Sequence, residues 1–152
     1  MMTAQPGTYV LVLASQRTGP LRIGTLGTLA LKPGVYIYVG SAFGPGGLAA
    51  RIGHHTRIAV RPHWHIDYLR AVCDLLEVWL TTEATRHEHL WARALARLPG
   101  AVLPMPGFGS SDCQCAAHLF CFQKPPSVKA FRQRVRTLVS TTRPNVAEGR
   151  SG

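Results

Sequence analysis

The chain has 152 residues, 46% of them hydrophobic, and its 17 Lys/Arg against 7 Asp/Glu leave a net charge of +10. That length and apolar content suit one domain with a core of its own, so no disulfide or metal staple is required to hold it. The N-terminus has no basic-then-apolar signal pattern and no apolar run reaches the ~18 residues of a membrane span, so no membrane partner is expected and the chain reads as cytoplasmic, with Cys73, Cys113, Cys115 and Cys121 reduced.

The elements follow in chain order. Tyr9–Ala14 (YVLVLA) is a short apolar run of β-formers and reads as a buried strand. Gln16–Pro20 is a polar turn, and Leu21–Leu31, interrupted by Gly24 and Gly27, reads as an irregular strand. Lys32-Pro33-Gly34 turns the chain into a strand over Val35–Val39 (VYIYV). Phe43–Gly47 (FGPGG) is a glycine loop that matches neither the Walker nor the dinucleotide fingerprint. Leu48–Arg57 reads as a helix with Leu48 and Ile52 inward, and a second helix is expected from about Trp64 to Val72. Leu75–Leu80 is a third good strand. Thr81 or Thr82 as a cap predicts a helix over Glu83–Leu98, stopped by Pro99-Gly100. Ala101–Leu103 reads as a short strand, Gly107–Ser111 as a loop and His118–Phe122 as a final apolar strand. After Pro125-Pro126, Ser127 opens a basic amphipathic helix with Val128, Phe131, Val135 and Leu138 on one side, and Thr141–Gly152 reads as disordered.

The expected fold is α/β (α+β): a central, mainly antiparallel three-stranded sheet flanked by helices over residues 1–122, then a basic extension over 123–152. That extension holds seven Lys/Arg and one acid, whereas the body holds ten and six. Both parts are basic, which favours a polyanionic partner and nucleic acid first.

The candidate chemistry starts from Arg51 and His55, four apart and therefore on one helix face. With Tyr9 and Tyr38 they form a polar set suited to a phosphodiester. Glu88 offers a carboxylate for a metal, with Glu83 as its competitor. Each has a bland reading: strand tyrosines pack, helix arginines are solvated, histidines cap, and Thr85-x-x-Glu88 fits a capping box. His63 and His65 could be metal ligands or phosphate contacts, and His65 with Asp67 a structural pair. The Cys113-x-Cys115 spacing, with His118 following, is tighter than usual zinc motifs. The cysteines therefore read as buried thiols, with zinc disfavoured.

Gly7-Thr8-Tyr9 and Tyr38-Val39-Gly40 stand on neighbouring expected strands, ahead of Arg51 and His55. In that order they resemble the founding motifs of the GIY-YIG nuclease superfamily. The chain looks most like the branch that occurs alone or attached to endonuclease III-like glycosylases. That likeness rests on Tyr38–Ala42, the His63-Trp64-His65-Ile66-Asp67 block, and the run Gly107–Cys115 followed by His118-Leu119-Phe120. The resemblance spans roughly residues 7–122. Two departures lengthen loops: the motif tyrosines are 29 positions apart, which enlarges the connection around Arg17–Lys32, and Phe43–Gly47 adds a glycine insert. Such growth costs little entropy.

The resemblance implies a nuclease cutting nucleic acid, DNA ahead of RNA, in a repair or processing context, with a repair glycosylase as a partner. Tyr9 and Tyr38 would flank the attacking water, one as general base. A phenol titrating near ~10 needs nearby cations for that role. Arg51 would bind the scissile phosphate, His55 would orient a tyrosine or touch phosphate, and Glu88 would hold one Mg²⁺ or Mn²⁺. Gly7 and Gly40 are the motif glycines. Ser41, His63, His65, Gly109 and Ser110 are substrate-contact candidates. The alternative is a catalytically silent nucleic-acid-binding module of the same fold.

Overall fold

A computed structural model describes residues 4–110 and 115–142. The elements are β1 (Thr8–Ser15), β2 (Gly19–Ile23), β3 (Gly27–Leu31), β4 (Gly34–Ser41), α1 (Gly47–His55), α2 (His65–Arg70), β5 (Asp74–Thr81), α3 (Glu88–Ala96), β6 (Leu119–Phe122) and α4 (Val128–Thr142). The main sheet runs β5-β1-β4-β6 with every pairing antiparallel, and β2–β3 forms a separate hairpin.

Strand alternation divides the core in two. Side chains two apart share a face of a sheet. Tyr9, Leu11, Leu13, Tyr36 and Tyr38 face one side, where α1 adds Leu48 and Ile52 and α2 adds Ile66 and Leu69. Val10, Val12, Val35, Ile37 and Val39 face the other, where α3 adds Ala92, Ala94 and Leu95 and α4 adds Phe131 and Leu138. Both central strands are therefore apolar along their whole length, as strands covered by helices on two sides must be. The result is a helix–sheet–helix sandwich with the first face carrying the tyrosines.

The expected three-stranded sheet is corrected to four strands. Leu119–Phe122 was legible as a strand, but its place beside β4 is set by a ladder running from Val35↔Phe122 to Tyr38↔Leu119, more than 80 positions apart in sequence. Ala101–Leu103 supplies only one bridge, Val102↔Cys121. The enlarged connection at Leu21–Leu31 is a hairpin, whose Ile23, Leu29 and Leu31 join the first core. Leu76 forms a bulge in β5, where Val12 pairs with Glu77 and Leu13 with Leu75. A bulge on an edge strand discourages further pairing.

The helix expected over Glu83–Leu98 begins at Glu88. Thr81 Oγ1 does accept the Glu83 N–H, at 3.3 Å, but this closes a turn and not a helix. The His87 N–H then donates to Thr8 Oγ1 at 3.2 Å, fixing the chain to β1 before the helix starts. The capping box read at Thr85 is absent, since His87 occupies the N-cap without a side-chain bond.

Helix α4 is part of the packing and not an appendage. Phe131 is 3% exposed, with ring centroids 5.3 Å from Trp79 and 5.2 Å from Trp91. Thr141 and Thr142, expected to be disordered, belong to α4, and the rest of that expected stretch lies outside the described residues. Replacing a buried aromatic by alanine costs about 3–5 kcal/mol. Phe131→Ala should therefore lower the thermal midpoint by roughly 10 °C. A midpoint unchanged in differential scanning calorimetry would mean that α4 is dispensable to the core.

Candidate active site

The β1–β4 register sets Tyr9 opposite Gly40 and Leu11 opposite Tyr38. A Cβ on Gly40 would lie 2.5 Å from Cζ and Oη of Tyr9, so only glycine leaves room for that ring. The Tyr9 hydroxyl reaches Nε2 of His55 at 2.7 Å, and the three rings of Tyr9, Tyr38 and His55 lie 5.4–6.5 Å apart. His55 closes α1, where Arg70 of α2 donates from Nε to the His55 carbonyl at 2.8 Å and from a second nitrogen to Thr56 O at 3.3 Å. A guanidinium on the last carbonyls of a helix satisfies orphan acceptors and suits the negative end of its dipole.

All three groups at the base are held neutral. Burial lifts the Tyr9 phenol well above its ordinary value, with Tyr38 adding to the rise and Arg51 opposing it. Burial likewise raises Tyr38, again against Arg51. Burial pushes His55 down to about 4. Its Nδ1 is buried with no hydrogen-bond partner among the described residues, so an imidazolium would carry a second donor with none of them to receive it. The Tyr9–His55 bond thus joins two uncharged groups, and which atom carries the shared hydrogen depends on the histidine tautomer.

A cleft of about 630 Å³ opens over this base, and Tyr38, Gly40, Ser41, Arg51, Glu88 and Gly109 all line it. Arg51 rests on Trp64, its guanidinium carbon 4.2 Å from the ring centroid. Stacking engages the guanidinium face and leaves its edge for hydrogen bonds. Glu88 is the first residue of α3, and its Oε2 lies 3.7 Å from His118 Nδ1. It is the one acid among the described residues that line the cleft.

The structure brings Tyr9, Tyr38, Arg51, His55 and Glu88 together from four elements, β1, β4, α1 and α3. Gly7 sits beneath them, where a Cβ would collide with the Thr81 carbonyl. Glu83 is turned away to His87 Nε2, at 2.8 Å. His63 is exposed against Trp64, with centroids 4.7 Å apart, and does not line the cleft. His65 is a loop holder: its Nδ1 accepts the Gly109 N–H at 2.8 Å, and burial lowers its pKa, which keeps that lone pair available. Gly109 has φ +71°, and a Cβ there would press on Tyr38 at 2.9 Å. Ser110 is buried, its N–H bonded to Gly107 O at 3.2 Å.

Asp67 pairs with His54 and not with His65. Its Oδ1 lies 2.9 Å from His54 Nε2, and its Oδ2 accepts the N–H groups of His63 and Trp64 at 2.7 and 3.0 Å. Burial alone would raise its pKa, but these bonds outweigh it and hold the carboxyl below its ordinary value. Asp67 therefore locks α1 to the turn that carries Trp64. Of the cysteines, Cys73 is buried, with burial raising its thiol to about 11, Cys115 and Cys121 are partly exposed, and Cys113 lies outside the described residues.

Sequence reasoning missed Arg86, whose guanidinium lies 4.3 Å over Phe43 at the cleft, and His89 on its wall, and named His118 there only as a disfavoured zinc ligand. Burial lowers the His118 pKa while Glu88 works against the fall. Arg86 carried no periodic or motif signal, because the segment before α3 is irregular.

Residues 8–140 match the family described as domain of unknown function DUF123. No curated protein matches the chain, and no solved structure matches it.

A histidine buried neutral contributes stability that is present above its unfolded pKa and is lost as pH falls toward its folded pKa. For His55 that window runs from the ordinary ~6.5 down to about 4 and is worth about 3 kcal/mol. In His55→Gln, urea midpoints should fall less between pH 7 and pH 4.5 than in the parent. An equal fall in both would assign the acid sensitivity to other groups.

Proposed function

The chain belongs to the DUF123 family, whose description assigns no chemistry, and we propose from its own site that it is a Mg²⁺- or Mn²⁺-dependent endonuclease. It hydrolyses phosphodiester bonds in nucleic acid, DNA ahead of RNA, in the manner of the GIY-YIG enzymes that its motifs resemble. The observation that carries this reading is the cleft. Tyr38 borders it beside Tyr9, which is bonded to His55, and Arg51, Arg86 and Glu88 stand in the same lining.

Phosphodiester hydrolysis needs a water placed in line, neutralised phosphate charge and a protonated leaving oxygen. Arg51 supplies the phosphate contact, its plane set by Trp64 before substrate arrives. Arg86 gives a second cation along the same wall. Tyr38 borders the cleft and positions the attacking water. With burial keeping both phenols protonated, they act first as hydrogen-bond donors, and the Tyr9–His55 bond holds the Tyr9 hydroxyl in a fixed orientation.

Glu88 suits a hard cation, because Mg²⁺ is commonly held by one or two carboxylates with water filling the rest of its shell. Its carboxylate is 21% exposed at the cleft wall, open to such a ligand. When bound, the ion supplies positive charge against the phosphate and favours ionisation of nearby phenols. Helix α4, despite its exposed Lys129, Arg132 and Arg136, covers the opposite face of the sheet and contributes nothing to the cleft lining. The substrate contacts of this reading belong to Arg51 and Arg86.

A silent binding module is the reading favoured by the buried, protonated tyrosines taken alone. One experiment separates the two. Supercoiled plasmid, branched DNA and structured RNA are incubated with the chain in Mg²⁺, Mn²⁺ or EDTA. The expected result is metal-dependent cutting that falls by about 10²-fold or more in Glu88→Ala and in Arg51→Ala, with Glu88→Ala still shifting nucleic acid on a gel. Undiminished cutting by Glu88→Ala would overturn the assignment. Clear binding with no cutting, unchanged by Tyr38→Phe, would select the silent module.

A further inference from the structure

We propose a second metal site at the rim of the cleft, in which His89, Cys115 and His118 hold a borderline-soft divalent cation of the zinc class. Their ligand atoms all lie within 4.8 Å of one another. His89 Nδ1 is 3.0 Å from Cys115 Sγ, and the two imidazole rings stand 5.9 Å apart at 70°.

Two segments far apart in sequence deliver these donors. His89 is the second residue of α3, Cys115 lies in the loop entering β6, and His118 directly precedes that strand. His118 is fixed on both sides of its backbone. Its N–H donates to Phe108 O at 2.8 Å and its carbonyl accepts the Val39 N–H at 2.9 Å. A hydrogen-bonded His–Cys pair would account for two of the donors. It does not account for a third donor, the His118 imidazole, held by the sheet within the same small radius.

The donor chemistry selects the ion. One thiolate and two imidazoles suit zinc, and suit magnesium poorly. Ligands of a tetrahedral ion with bonds of about 2.0–2.3 Å stand roughly 3.3–3.8 Å apart, so the cluster needs small movements only. Three protein donors leave a coordination position, as in zinc centres that keep an exchangeable ligand. His89 and His118 both border the cleft, and the Glu88 carboxylate is 3.7 Å from His118 Nδ1. The site therefore borders the cleft. On binding, Cys115 releases its thiol proton to solvent. The site differs from the single-carboxylate position assigned above in ligand type and in the metal it prefers, and it stands whether or not the chain cuts nucleic acid.

The test is spectroscopic. The full chain, reduced and freed of metal by chelation, is titrated with Co²⁺. The expected result is one equivalent bound, with tetrahedral d–d bands in the visible, a thiolate-to-cobalt charge-transfer band in the near ultraviolet, and displacement of both by Zn²⁺. Cys115→Ser should abolish the charge-transfer band, and His89→Ala should weaken Co²⁺ binding by about 10-fold or more. His89 is exposed and Cys115 partly so, which lets both variants fold. Absence of the charge-transfer band in the parent, its persistence in Cys115→Ser, or unchanged affinity in His89→Ala would each overturn the proposal. Because the readout is a spectrum, a chain that binds Co²⁺ but never cleaves would leave this site standing while removing the nuclease.

Discussion

Tyr9 lies across Gly40 in the β1–β4 ladder, and the candidate site is built outward from that contact. With no side chain at Gly40, the tyrosine ring lies along the sheet surface and carries its hydroxyl to His55 at the end of α1. Tyr38, two residues back on the same face of β4, borders the cleft beside it. A slip of one residue in this ladder would turn one strand over and carry its tyrosine, Tyr9 or Tyr38, to the valine face, under α3 and α4. The apolar demand of two covered faces forbids the slip, since Val10, Val12, Ile37 and Val39 are fully or almost fully buried where they stand. Packing of the second core thus holds the polar groups of the first in place.

The same burial separates the site into two electrostatic layers. At the base stand two phenols and an imidazole, all neutral. At the wall stand the side chains of Arg51, Arg86 and Glu88. A polyanion entering the cleft meets cations before it meets proton donors. Because the base is poorly solvated, any charge brought to the wall acts on it more strongly than through water. The opposing influences of Arg51 and Glu88 on both tyrosines already express this coupling. A base that is inert at rest and responsive to added positive charge fits the proposed hydrolase, whose phenols would stay protonated until substrate and cation are present.

Much of this was legible in the sequence, and the reasons for the rest are physical. Tyr9 and Tyr38 could be read because buried strands announce themselves as apolar runs. Arg51 with His55 could be read because helices bring residues four apart onto one face. Glu88 could be named, but not the start of its helix, which depends on a hydrogen bond to Thr8 across 79 positions. The partner of Asp67 was also beyond reach. His54 and His65 are equally plausible by type, and only the crossing of α1 and α2 selects His54. The place of β6 in the sheet and the approach of His89 to Cys115 across 26 positions are likewise tertiary facts. Local pattern carries no information about which distant segments meet.

The Gly7-Thr8-Tyr9 block shows why a tripeptide can matter more than its length suggests. Gly7 permits close approach to the Thr81 carbonyl at the end of β5, and its own carbonyl accepts the Ala42 N–H at 2.8 Å, where β4 leaves for the glycine loop. Thr8, wholly buried, receives the His87 N–H and so determines where α3 begins. Glu88 and His89 therefore occupy the first turn of that helix, at the cleft, where its unpaired amides add positive potential. Tyr9 reaches the end of α1 through His55. Three consecutive residues thus fasten the end of β5, the start of α3 and the end of α1. A change at any of them would move a wall of the cleft even where the sheet itself survived.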